Sequence, residues 1–180
     1  MAQTDNSAEP VFPQFSKDDE LTLISLPYRV GLFVSFSDTS GGFEAQEAEL
    51  QSLSNILREF AEDYCKSEFS QKVLMETLRV RHLWPSWSQG VETVPEQARH
   101  IVDQLEVHFD DRALRAFKEV LVDIAMAVAM AFREDGADTA APRLSGFGQF
   151  IGKPFGGSSQ HSTLGHTNIS KNERVALMRL

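Results

Sequence analysis

The stretch at residues 111–134, "DRALRAFKEVLVDIAMAVAMAFRE", constrains the fold most, because its second half is apolar on every side. Its apolar residues follow helical spacing and show none of the alternation of a strand. A helix that is apolar all round must be covered by other elements. The uninterrupted apolar run, Ile124–Phe132, is far shorter than the ~20 residues that a membrane helix needs. The pattern therefore predicts a bundle without membrane insertion, with this helix at its centre.

A second buried helix is predicted over residues 27–37, where "PYRVGLFVSFS" is also apolar nearly all round. A shorter helix is predicted before it, starting after Ser16, which has Asp19 three residues later as a capping partner. Proline disrupts a helix interior but is tolerated in a first turn. The sequence therefore predicts a break near Pro27, with the second helix starting at Leu26 or Pro27.

Four further segments have the features of helices. Apolar residues recur at three and four residues in two of them, a proline opens the third, and Ser170 with Glu173 forms a capping box in the last. They cover residues 44–65, 67–80, 95–109 and 170–180. The predicted fold is all-α, a compact bundle of about seven helices in one domain over 16–180. Residues 1–15 are predicted to be a flexible lead-in, and 136–169 a long loop rich in Gly and Ser.

Charge and composition exclude some classes of function. The net charge of −9 argues against a nucleic-acid partner, because binding a phosphate backbone needs a basic face. The first residues lack the basic start and apolar core of a signal peptide, so a cytoplasmic location is expected. Cys65 is the single cysteine and forms no internal disulfide. Acidic neighbours are expected to raise its thiol pKa, which indicates a structural residue.

An acidic turn gives the best functional lead. In "VSFSDTSGGFEAQEAEL" an apolar segment runs into Asp38, two glycines follow, and Glu44 and Glu47 open the next helix. An EF-hand is excluded, because a loop counted from Asp38 has Phe43 where the turn requires glycine. Two interpretations stay open. The acids form half of a looser divalent-cation site, or they end one helix and complement the positive N-terminus of the next.

The acidic turn has a loose echo in the second half of the chain. There the buried helix ends in Glu134, Asp135 and Gly136, and after the long loop a helix starts with Ser170 and Glu173. The echo suggests a weak internal pseudo-twofold repeat that brings two acidic turns together.

The stretches "LPYRVGLFVSFSDTSGGFEAQEAELQSL", "LVDIAMAVAMAFREDG" and "ISKNERVALMRL" together resemble the tellurite-resistance TerB-like family. The resemblance implies a compact, internally duplicated helical bundle, a role related to tellurite or stress response, and an acidic cluster that binds a divalent cation such as Ca²⁺ or Mg²⁺. By matching position, the metal-binding residues would be Asp38, Glu47, Glu134, Asp135 and Glu173.

Other site motifs are missing from the sequence. No zinc spacing is present among the histidines, which are His82, His100, His108, His161 and His166. The loop "GFGQFIGKPFGG" lacks the ending of a phosphate-binding loop. Its phenylalanines either anchor the loop over the bundle or contact a protein partner. No catalytic motif is found, so a non-enzymatic binding module is expected. The alternative is a metal-free interaction or scaffold domain, with homodimer formation left open, and a metal-dependent hydrolase ranks last.

Overall fold

The computed structural model of the chain describes residues 10–36 and 43–131, with side chains over 10–36 and 51–131. This part of the chain consists of helices joined by turns, which confirms the all-α prediction. The α-helices are α1 (Lys17–Ser35), α2 (Phe43–Glu59), α3 (Glu68–Arg79), α4 (Trp84–Trp87), α5 (Val94–His108) and α6 (Asp111–Ala131). A π-helical turn, Phe60–Tyr64, extends α2, and 3-10 turns at Arg81–Leu83 and Val91–Thr93 flank α4. The predicted helix at 170–180 and loop at 136–169 lie outside the described residues.

Cross-helix contacts set the directions of α1, α3 and α5. Asp19 near the start of α1 meets His100, whereas Arg29 near its end reaches Thr93, so α5 runs antiparallel to α1. Thr77 near the end of α3 lies against the middle of α1, and α3 starts beside the segment that precedes α1. Helix α3 therefore runs parallel to α1.

Helix α6 also starts at the same end of the bundle as α1. Phe109, two residues before α6, stacks on Phe15, two residues before α1, with ring centroids 6.4 Å apart. The two helices then pack against each other. Helix α2 runs the opposite way, from the far end of α1 back to the start of α3, where Gln71 donates to the Ala61 carbonyl. The result is an up-down arrangement of short connections, as in other helical bundles.

The central helix of the described bundle is α1, not α6 as predicted from apolarity. Every residue from 23 to 32 is buried, and α1 packs against each of the other five α-helices. Helix α6 is fully buried only over residues 124–129. The number of packing partners explains the difference. Helix α1 has neighbours on all sides, whereas the first half of α6 keeps a charged, exposed face.

Pro27 does not break the first helix, so the prediction of two helices there was wrong. Helix α1 continues through it from Lys17 to Ser35. An internal proline removes one backbone hydrogen bond and costs about 3 kcal/mol in an isolated helix. The bond removed is the one to the Leu23 carbonyl, and the Thr77 hydroxyl of α3 donates instead to the neighbouring Ile24 carbonyl, at 2.6 Å. Complete burial of the Leu23, Leu26 and Val30 side chains on the surrounding turns offsets the cost.

The end of the predicted lead-in packs on the bundle. Phe12 and Phe15 are buried, at 2% and 8% exposure, and belong to the hydrophobic core. The Glu20 carboxylate accepts hydrogen bonds from the backbone N–H groups of Val11 (2.6 Å) and Phe12 (3.0 Å). The Lys72 ammonium donates to the Val11 carbonyl at 2.9 Å and lies 4.9 Å from the centre of the Phe12 ring. Residues 11–15 are therefore a docked segment, although the sequence placed them in a flexible lead-in.

The start of α1 is capped as predicted. The Ser16 hydroxyl accepts a hydrogen bond from the Asp19 backbone N–H at 3.1 Å and donates one to the Asp19 carboxylate at 2.7 Å. That carboxylate also lies 2.7 Å from Nε2 of His100 on α5. The Ser16 hydrogen bond, and then His100, hold the pKa of Asp19 below its usual value.

Helices α1 and α2 approach closely at Gly31. A Cβ atom added at this position would overlap Cδ1 of Leu53, and it would lie 3.1 Å from Cδ2 and 3.3 Å from Cγ. Both residues are buried, so the Leu53 side chain has little room to move away. The absence of a side chain at Gly31 therefore sets the α1–α2 separation.

We expect Gly31→Ala to destabilise the protein by about 1 kcal/mol, because overpacking costs ~1–3 kcal/mol and outweighs the ~1 kcal/mol gained from helix propensity. Denaturant unfolding measures the change. In a Leu53→Ala background, where the obstructing side chain is gone, the same substitution should become stabilising. Stabilisation of the otherwise unmodified protein by Gly31→Ala would contradict this packing.

Ser16→Ala should cost about 1 kcal/mol at neutral pH through loss of the cap. Folding lowers the pKa of Asp19 below its unfolded value of 3.8. The carboxylate therefore stabilises the fold above pH 3.8, and this stabilisation is lost as the pH falls through the folded pKa. Part of the Ser16→Ala deficit should therefore disappear on acidification. The control is Ser67→Ala, which removes the cap of α3 without touching a carboxylate. If denaturant unfolding showed that the stability lost in Ser16→Ala and in Ser67→Ala depends equally on pH, the Asp19 carboxylate would not be the cause of the pH dependence.

Candidate functional site

The predicted metal-binding acids fall largely outside the part of the chain that the structure describes. Asp38, Glu134, Asp135 and Glu173 lie beyond it, and Glu47 belongs to α2 in the stretch where only the backbone is described. Among the described side chains, no three His, Cys, Asp or Glu residues come together as a metal would require. The predicted cation site and the internal repeat stay predictions.

Cys65 is a half-buried residue at the end of the π-helical turn. Burial raises the pKa of its thiol to about 11, so the thiol is protonated at neutral pH. The expected direction agrees with this value, but the cause is desolvation and not the acidic neighbours. A protonated thiol is a poor nucleophile, which supports a structural role.

The described histidines are not grouped. His100 pairs with Asp19, and the His108 ring contacts Phe15 edge-on with centroids 5.9 Å apart. His82 is exposed in the turn after α3. His161 and His166 lie outside the described residues.

A half-buried carboxyl group is found on α6 at Asp123. Burial raises its pKa, while the nearby Lys66 ammonium acts to lower it and Glu119 acts to raise it further. Lys66 itself lies 3.6 Å from the Glu119 carboxylate, and both of those side chains are about half exposed. One desolvated carboxyl beside a single ion pair lacks the ligands that a metal needs.

Arg29 is the polar residue that the sequence-based reasoning missed. It sits in the fully buried stretch of α1 and is only 8% exposed. Its Nη2 donates to the Gly90 carbonyl at 2.7 Å and lies 3.4 Å from the Thr93 hydroxyl oxygen. These partners are about sixty residues away in sequence, and a lone arginine inside "LPYRVGLFV" was the only available signal.

The turn that receives Arg29 is built around Gly90. Gly90 has φ of +62°, in the left-handed region that favours glycine. Its carbonyl oxygen also accepts the Thr93 hydroxyl at 2.8 Å and the Thr93 backbone N–H at 3.2 Å. Thr93 in turn precedes α5, whose first turn contains Pro95. The Gly90 carbonyl therefore joins the arginine to the start of α5.

The charge of Arg29 is incompletely compensated. No carboxylate in the described part of the chain forms an ion pair with it, and its Nε is buried without a hydrogen-bond partner. Burial lowers the pKa of Arg29, while the negative charge of Glu92 opposes this shift. Arginine stays protonated in proteins, so the site holds a desolvated cation bonded to neutral oxygens.

An aromatic group closes the same end of the bundle. The Tyr28 ring stacks on Trp84 with centroids 4.4 Å apart and an interplanar angle of 20°, and Trp87 lies 6.4 Å away. The Tyr28 hydroxyl lies 3.3 Å from the Ser88 hydroxyl, and the Trp84 indole donates to the Thr77 carbonyl at 3.1 Å. Both tryptophans cover the core, and they hold the connection that leads to Gly90.

No protein-family model matches this sequence, and no curated protein or solved structure is significantly similar to it. None of the helices in the described ranges is long and apolar enough to cross a membrane.

Gly90→Ala should destabilise the protein by about 1 kcal/mol, because a left-handed conformation costs a residue with a Cβ roughly 1–2 kcal/mol. The cost is conformational, since an added Cβ would find its nearest neighbour, Oε1 of Glu92, at 3.8 Å. Gly90→Asn should cost less, because asparagine adopts this conformation more readily. Thermal unfolding compares the two variants. A smaller drop in melting temperature for Gly90→Ala than for Gly90→Asn would contradict the left-handed conformation as the cause.

Proposed function

We propose that the protein is a non-enzymatic, TerB-like helical binding module of a tellurite or stress response, with a weak divalent-cation site. The proposal draws on how the chain uses its reactive groups. The Cys65 thiol is protonated, His100 is paired with Asp19, and His108 packs on an aromatic ring. These groups hold the bundle together and are not arranged as a nucleophile with its base.

The way in which α1, α2 and α6 pack supports the proposed cation site. Helices α1 and α6 start together and pack in parallel, so Ser35 and Ala131 lie at the same end of the bundle. Helix α2 begins at that end and runs back along α1. In sequence, Asp38 follows α1 closely, Glu134 follows α6 closely, and Glu47 belongs to the first part of α2. This arrangement supports a shared site, since Ca²⁺ and Mg²⁺ need several oxygen ligands.

The alternative function is a metal-free protein–protein interaction or scaffold domain, with the acids acting as helix caps. One observation favours it. A buried, incompletely bonded Arg29 has unused capacity to bind a partner group.

Calorimetric titration of the full chain with Mg²⁺ and then Ca²⁺ tests the cation site. We expect binding in the millimolar range, typical of weak sites at about 10⁻⁴–10⁻³ M, together with a rise in melting temperature. Asp38→Asn and Glu134→Gln should each weaken it.

The matched control is Glu62→Gln, which removes one exposed negative charge from the π-helical turn at the opposite end. It should leave the heat unchanged. If millimolar metal gave no heat of binding and no shift in melting temperature, the cation site would be rejected and the metal-free interaction domain would remain.

A further inference from the structure

The docked segment, residues 11–15, lies on the bundle in the way that a short peptide ligand does. Its anchors are the buried rings of Phe12 and Phe15, whereas Pro13 and Gln14 between them are exposed. The Phe15 backbone N–H donates to the Phe12 carbonyl at 3.0 Å, which closes a turn with both rings on its bundle side.

The groove that holds the two rings is formed by phenylalanines from α3, from α6 and from the turn before α6. The Phe12 ring packs edge-on against Phe69 with centroids 5.6 Å apart, and the Phe15 ring stacks on Phe109 at 6.4 Å. Phe69 also contacts Phe109 and Phe117, so the three rings form one surface. We call this surface the phenylalanine groove, and its apolar character favours aromatic anchors.

Among the described residues, the hydrogen bonds that join the docked segment to α1 and α3 use its backbone alone. The Glu20 carboxylate accepts from the N–H groups of Val11 and Phe12, and the Lys72 ammonium donates to the Val11 carbonyl. These bonds place no demand on the side chains of the segment. The groove therefore fits a stretch with two phenylalanines three positions apart, preceded by a residue that has a backbone N–H.

A second stretch of the chain has the same pattern. Phe-x-Gln-Phe occurs twice in the sequence, first in the docked segment, "VFPQF", and again as "GFGQF" at residues 146–150, which lie outside the described residues. Gly146 has the backbone N–H and carbonyl that the groove uses at Val11. A third pair of phenylalanines with this spacing, at residues 33–36, is held at the end of α1.

The chain between α6 and this second copy is long enough to reach the groove. Helix α6 starts beside the groove and ends at Ala131, about 30 Å away at ~1.5 Å per residue. Phe147 follows Ala131 by sixteen positions, and that many extended residues span up to roughly 50 Å. Residues 146–150 can therefore return along the bundle to the groove of their own chain.

The docked segment is the stronger of the two occupants. It joins α1 directly, Val11 adds a partly buried apolar side chain, and Pro13 fixes one backbone angle of the turn. The second copy has glycine at both positions and closes a longer loop, and each of these costs entropy. Ordering the docked segment costs entropy as well, so segments at a chain end open locally more readily than the helices beneath them.

We propose that residues 146–150 are a second, weaker occupant of the phenylalanine groove and replace residues 11–15 there when the docked segment is released. The two states share one bundle and differ in which copy of Phe-x-Gln-Phe is docked. The exchange goes beyond the proposed function and does not depend on it. The groove lies at the start of α6, and the proposed cation site lies beyond its other end, at Ala131.

A mutant cycle on the full chain tests the exchange. Phe147→Ala/Phe150→Ala should leave the melting temperature unchanged in the otherwise unmodified protein, because the docked segment fills the groove. In a Phe12→Ala/Phe15→Ala background, the same pair should lower the melting temperature by roughly 2–4 °C. The control is Phe155→Ala, which lies in the same loop but outside the pattern and should have no effect in either background.

Equal effects of Phe147→Ala/Phe150→Ala in the two backgrounds would overturn the exchange, because the loop would then act independently of the groove. An effect that grows with protein concentration would also overturn it, since it would indicate docking onto a second copy of the chain.

A second measurement keeps both pairs of phenylalanines. Gly146→Val/Gly148→Pro gives the second copy the sequence of the docked segment and should raise its share of the groove. A nitroxide label attached at Gly152→Cys, in a Cys65→Ala background, should then attenuate the NMR amide signal of Lys72 more strongly than it does with both glycines in place. Equal attenuation in the two proteins would reject the second occupant.

Discussion

The burial of α1 on all sides is the constraint on which the rest of the structure depends. Ten consecutive residues, 23–32, are inaccessible or nearly so, and every other α-helix of the described bundle lies against this one. Burying a leucine or valine side chain contributes about 1.5–3 kcal/mol relative to leaving it exposed. Several such side chains near Pro27 outweigh the ~3 kcal/mol cost of the internal proline. Tertiary packing therefore decides the continuity of α1, and local propensity does not.

Local signals predicted the fold well where local interactions decide it. The cap at Ser16, the proline that opens α5 and the apolar spacing of α3 all appear at the predicted places. Long-range effects were harder to predict. Local rules predict a break at Pro27, but the helices that bury this part of α1 and keep it continuous come from elsewhere in the chain. The short α4 depends on packing of its tryptophans against Tyr28, which spacing does not reveal.

The candidate site also depends on contacts that local sequence patterns do not reveal. Acidic residues at helix ends are visible in the sequence, yet their meaning depends on which ends meet in space. The parallel packing of α1 and α6 brings Ser35 and Ala131 to the same end of the bundle, whereas Asp38 and Glu134 lie outside the described residues. Arg29 shows the opposite case. It lies in an unremarkable apolar run, and its significance comes from the neutral oxygens of a turn some sixty residues later and from a nitrogen without a partner.

The docked segment at residues 11–15 has a consequence for the order of assembly. Phe12 and Phe15 are synthesised well before their ring partners, Phe69 and Phe109. The pocket they fill is complete only when the start of α6 has been made, because Phe117 contacts Phe69 within it. The first described residues of the chain are thus among the last to pack. Contacts that span such distances in sequence slow folding, so closure of this segment is expected to be a late step.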